Sequence, residues 1–167
     1  MRKIILAVAM LVQVVYAQST AVSNGEKYVK ALELRVTKIV AALNIDKKGK
    51  LEKVHHIISA QYQALNTIHS NRDSKIKELK LAHAGSVDEL KLLVADVESV
   101  AGKEIAAIHS RFIHDLGRHL SDAQVDAVKD GMTYNVANIT FKGYQDMLPS
   151  LTDEQKSKIW NWLAEAR

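Results

Sequence analysis

From Asp46 to Leu116, apolar residues recur three and four positions apart along two long stretches, separated by one short break around Gly85. That spacing matches the 3.6-residue turn of an α-helix, so each stretch is expected to bury one continuous stripe. The first, from about Asp46 to His83, carries Leu51, Val54, Ile58, Tyr62, Leu65, His69, Ile76 and Leu79. The second carries Leu90, Leu93, Val94, Val97, Ala101, Ile105, Ile108, Phe112 and Leu116. A connection of two or three residues forces two such helices into an antiparallel hairpin. Leu93 and Ile105 are expected deep inside it.

One proline and seven glycines in 167 residues leave room for helix almost throughout, and no alternating pattern lasts long enough to propose a strand. A first helix is expected from the capping box Ser23-x-x-Glu26, burying Tyr28, Ala31, Leu32, Val36, Ile39, Val40 and Leu43, with Asn44 as a left-handed stop. A second capping box, Ser86-x-x-Glu89, opens the return arm of the hairpin. Past Leu120 the helical pieces shorten, and Gly131, Gly143 and Pro149 are read as breaks. The last helix, from Asp153, is expected to bury Ile159, Trp162, Leu163 and Ala166 and to leave Trp160 off the core stripe. The fold class is therefore all-α: a helical bundle built on a long antiparallel hairpin, with a C-terminal cap of short helices.

The N-terminus "MRKIILAVAMLVQVVYAQS" joins a basic start (Arg2, Lys3) to an apolar run and a small-x-small site at Val15-Tyr16-Ala17. This reads as a secretory signal peptide over residues 1–17, followed by one helical domain over 18–167 and no membrane span after cleavage. The product is expected to be exported, either periplasmic or secreted. The chain has no cysteine, so disulfides and thiolate metal sites are excluded. Removing Arg2 and Lys3 lowers the formal charge from +4 to +2, and the interspersed signs give no basic patch for nucleic acid.

Two stretches, "LSDAQ" at 120–124 and "LTDEQ" at 151–155, repeat one pattern. Ser121 with Gln124 and Thr152 with Gln155 fit the N-cap and N3 positions of a capping box, and Leu120 can staple onto Val125. The same L-T-x-x-Q pattern resembles motifs of the small helical periplasmic chaperones of the Spy type. A longer resemblance is carried by "QYQALNTIHSNRDSKI", "VKDGMTYNV" and "GYQDMLPSLTDEQKSKIWNWLAEAR". These segments resemble a secreted Bacteroidota family, domain of unknown function three-eight-two-six. The resemblance implies sugar binding without any established activity. It also implies a further basic and aromatic segment beyond "LAEAR", which would place part of any site past Arg167.

His109, His114 and His119 are five apart, so their rings turn by about 140° from one to the next and cannot meet on one ion from one helix. No metal ligand, cofactor or catalytic residue is assigned, since no triad or paired-carboxylate pattern stands out. His69 and Arg72 on one helix, with Arg111 and His114 on the next, are candidates for a polar layer across the hairpin. Five of the eight aromatic residues after Ala17 fall in the last 34 residues, at Tyr134, Phe141, Tyr144, Trp160 and Trp162. Aromatic faces pack on sugar C–H groups while amides and carboxylates bond the hydroxyls. Trp160, Tyr134, Asn135, Asp130 and Tyr144 are the ligand-binding candidates on that ground. The function expected, mainly on the family resemblance, is non-enzymatic carbohydrate binding. A periplasmic chaperone or interaction module is the alternative, and a glycan-acting enzyme stands third.

Overall fold

The computed structural model describes residues 25–167, so the expected signal peptide and the cap at Ser23 lie outside the described residues. Those residues form six helices and no strand: α1 (residues 25–41), α2 (Lys48–Ala82), α3 (Val87–Gly117), α4 (Asp122–Met132), α5 (Val136–Met147) and α6 (Asp153–Glu165). None is long and apolar enough to cross a membrane. The all-α bundle on a long hairpin is the observed architecture. Helices α2 and α3 run antiparallel, with Ile57 and Gln61 opposite Ile108 and Phe112 at one level, and Ile68 and Arg72 opposite Val97 and Ala101 further along.

The core sits at one end of this hairpin. Leu32, Val36, Ile39, Val40 and Leu43 of the first segment pack with Val54 and Ile58 of α2, Phe112 and Leu116 of α3, and Leu120, Val125 and Val128 around α4. Beyond that base the hairpin runs on as an arm. Between Leu65 and Ile105 only Ala101 is buried, because among the described residues no third helix covers the two stripes there. Leu93 and Ile105 are accordingly half-buried, not deeply buried as their periodicity suggests. Each stripe meets one partner helix and then solvent.

Local chemistry explains most helix ends. Asn44 has φ 50°, the left-handed stop expected of it. At Ser121 the hydroxyl accepts from Gln124 N (3.4 Å) and Gln124 Oε1 accepts from Ser121 N (3.2 Å). Gln124 Nε2 also donates to the Leu43 carbonyl at 2.9 Å, so this cap pins the end of the first segment to α4. Thr152 and Gln155 form the matching box on α6, at 3.2 and 2.9 Å. The box expected at Ser86 does not form: Glu89 instead reaches His83 Nδ1 at 3.3 Å across the hairpin turn.

The glycines behave differently from their expected role as breaks. Gly143 lies inside α5, and Gly131 lies inside α4 against Ile39, where an added Cβ would come within 2.9 Å of Ile39 Cγ1. Gly131 is a close-approach residue. On α6 the stripe is rotated from the one expected: Lys156, Ile159, Trp160, Leu163, Ala164 and Arg167 are half-buried, while Trp162 is 59% exposed and Ala166 is exposed. Two features turn that face inward. Trp160 packs edge-on against Phe141 of α5 (5.3 Å between centroids), and Arg167 is clamped by two carboxylates of α4, Asp126 at 2.6 Å and Asp130 at 2.8 Å.

Candidate functional site

Helix α4 ends in a way that its residue types do not favour. Thr133 closes the helix with its hydroxyl on the Lys129 carbonyl (2.9 Å), and the Asn135 amide reaches back to the Asp130 carbonyl (2.7 Å). That six-to-one bond around a left-handed residue is the Schellman ending, whose left-handed position is usually glycine. Here Tyr134 occupies it with φ 55°, and Asn135 follows at φ 58°. A bulky side chain in that region costs on the order of 1–3 kcal/mol and persists only where its surroundings hold it.

Tyr134 is held by Arg35. The guanidinium of Arg35 lies 3.5 Å from the centre of the Tyr134 ring and 5.4 Å from that of Tyr62, while its Nη2 donates to the Met132 carbonyl at 2.6 Å. Such stacking contributes about 0.5–2 kcal/mol, enough to offset part of the backbone strain. Tyr134 itself stays 72% exposed. Between α1, α2 and the α4–α5 turn these residues wall a cleft of ≈ 480 Å³, completed by Tyr28, Leu34 and Lys38.

Two polar atoms beside the cleft lack partners among the described residues: Arg35 Nε and the Tyr62 hydroxyl are both buried without a hydrogen bond there. Burial pushes the Tyr62 phenol above its ordinary pKa, and the neighbouring positive Arg35 pulls it part of the way back. Tyr62 therefore stays neutral at physiological pH.

The other expected ligand-binding residues are spread apart. Trp160 is committed to Phe141. Asp130 gives its carboxylate to Arg167 and acts as a strut. Asn135 accepts from Asn138 Nδ2 and sits on the rim beside Tyr134. Tyr144 is partly exposed on α5 and does not line the cleft. Of the five, Tyr134 alone lines it.

The hairpin candidates do not converge either. Arg72 pairs with its neighbour Asp73 (2.7 Å) and faces Asp96–Glu104, whereas Arg111 faces His56–Ala64, two to three turns away. His114 is exposed, and His69 Nδ1 is buried without a partner among the described residues. No hydrogen bond joins these four among the described residues. The shared residue types belong to different levels of the hairpin. No group of three or more His, Asp or Glu that could hold a metal ion forms among the described residues.

Arg35 and Lys38 escape a reading by apolar stripes, and Tyr28, expected within the buried stripe, is instead 42% exposed and lines the cleft. Arg35 falls three residues after Leu32 and four before Ile39, on the buried face of α1, so an arginine at a stripe position is the available signal. Its partner, the Met132 carbonyl, is 97 positions away, and no local pattern reports that contact.

The chain matches the family described as "Protein of unknown function (DUF3826)" over residues 29–167, and it belongs to that family. No curated protein matches it.

Proposed function

We propose, starting from membership in a family whose description carries no activity, that this is an exported, non-enzymatic carbohydrate-binding protein. Its binding site on this reading is the cleft of Tyr28, Arg35, Tyr62 and Tyr134. The observation that carries the reading is Tyr134 in a position that favours glycine, stacked on Arg35 and largely open to solvent. A strained, exposed aromatic ring is costly for folding and useful for contact. Tyrosine faces suit the C–H surface of a sugar ring, and phenol and guanidinium groups supply hydrogen bonds to oxygens. The cleft volume lies within the range of small-molecule sites.

Tyr134→Gly provides the test, because it removes the ring and relieves the backbone together. Stability is expected to change by no more than about 1 kcal/mol, since lost stacking and released strain oppose each other. Calorimetric titration with an oligosaccharide panel should show saturable binding to the native protein and its loss in the variant. Binding that survives unchanged, or its absence across the panel, overturns the reading.

A second reading, a chaperone or interaction module, is favoured by the arm. Leu81, Val87 and Leu92 near its end are 76, 77 and 74% exposed, which is apolar surface offered away from the core. Suppression of client aggregation that disappears when Leu81 and Val87 are changed to Ser would support this reading.

A further inference from the structure

We infer that the Tyr28–Arg35–Tyr62–Tyr134 cleft selects a sugar bearing a negative charge, a carboxylate or a sulfate ester, over a neutral one. This rests on the carbohydrate reading above and adds the chemical class of ligand. What the cleft lacks matters as much as what it holds. Sites for neutral sugars need acceptors as well as donors, because every hydroxyl is both. Here the polar side chains of the lining are Arg35, Lys38 and tyrosine hydroxyls, with no Asp, Glu, Asn or Gln among them. Arginine and lysine donate only, and phenol oxygens are the lining's only side-chain acceptors among the described residues, so a ligand rich in acceptors matches it best.

Charge points the same way. Among the described residues no carboxylate lies within ion-pair distance of Arg35 or Lys38, whereas Arg72 and Lys129 each have one and Arg167 has two. Arg35 is also held in a fixed orientation. One face stacks on Tyr134 and Nη2 is held by the Met132 carbonyl, which sets the plane of the guanidinium. A planar, oriented guanidinium suits a carboxylate or sulfate through parallel hydrogen bonds, better than a mobile ammonium does. The Tyr62 phenol is neutral at neutral pH, and burial pushes its pKa further up, so the wall beside Arg35 adds no opposing charge. With about 480 Å³ of space, one or two sugar rings fit.

The test titrates the full chain at neutral pH with three disaccharides that differ only at C6 of one ring: glucuronate, glucose and glucose 6-sulfate. At least one acidic form should bind roughly tenfold or more tighter than the glucose form, with an advantage that shrinks as salt is raised. Whichever acidic form binds tighter identifies carboxylate or sulfate as the preferred group. The advantage should fall in Lys38→Gln, an exposed position that leaves the fold intact, and vanish in Arg35→Gln, with Arg35→Lys retaining part of it. Equal or tighter binding of the neutral form overturns the charge preference and leaves the carbohydrate reading standing. The same holds for an acidic advantage that persists in both Lys38→Gln and Arg35→Gln, since the charge would then be read elsewhere. No binding of any of the three, in a protein that also binds nothing on the wider panel, overturns both.

Discussion

Tyr62 shows how one side chain can trade folding against contact. Its hydroxyl is buried beside Arg35 without a partner among the described residues, and a buried hydroxyl left unsatisfied costs about 1–3 kcal/mol. Tyr62→Phe is therefore expected to leave the denaturation midpoint unchanged or to raise it, while weakening any ligand that supplies the missing partner. Burial also sets the sign of its pH dependence. A phenol whose folded pKa is raised adds stability that is fully present below the unfolded pKa and is lost as pH rises through the folded one. Denaturation followed across the alkaline range should show part of the stability loss disappear in Tyr62→Phe. Thr152 makes the contrasting case, since both bonds of its capping box form and the residue does not line the cleft. Thr152→Ala should cost about 1 kcal/mol and leave sugar titrations unaltered.

At the level of helices and their contacts, the two glycines of the C-terminal region should respond in opposite directions. Gly143 sits within α5 with nothing from outside its own helix backbone within 4 Å of where a Cβ would stand, so Gly143→Ala should stabilise by roughly 0.5–1 kcal/mol through helix propensity. Gly131 is pressed against buried Ile39, and Gly131→Ala should destabilise despite the same propensity gain, because the α1–α4 contact must open. Thermal melts of the pair decide it. The sequence alone does not separate these glycines, since a glycine that breaks a helix and one that lets two helices touch look alike in a single chain. Its caps are more legible: Ser121 and Thr152 form the boxes their spacing implies, because capping is settled within four residues. Ser86 fails where a contact from outside the helix, His83 to Glu89, competes for the same glutamate. The stripe of α6 departs from its expected position for a related reason. Its inward face is fixed by Phe141 and by Asp126 and Asp130, partners that helical period does not reveal.

The protein is a packed base carrying a long, thinly buried arm, with the cleft at the base. Leu116 and Leu93 both belong to the apolar stripe of α3, but only Leu116 is fully enclosed. Leu116→Ala should cost about 2–5 kcal/mol, and Leu93→Ala clearly less. Amides between Leu65 and Ile105 should exchange with solvent sooner than those around Ile58 and Phe112, since local opening there exposes little buried surface. The all-α hairpin is readable in the sequence because two uninterrupted periodic stretches and one short break admit few other folds. The position of the core along it is not, because periodicity says which face is apolar and is silent on which part of that face finds a third helix. The cleft is hidden for the same reason, as Arg35, Tyr62 and Tyr134 come from three distant segments. Whether these three segments together bind the ligand is decided by amide chemical-shift mapping of the isotope-labelled protein, titrated with the tightest-binding oligosaccharide. Shifts are expected only around Tyr28–Lys38, Tyr62 and Met132–Asn135. Shifts centred instead on Trp160 and Trp162, or on the arm near Leu81 and Val87, would refute the assignment of the cleft.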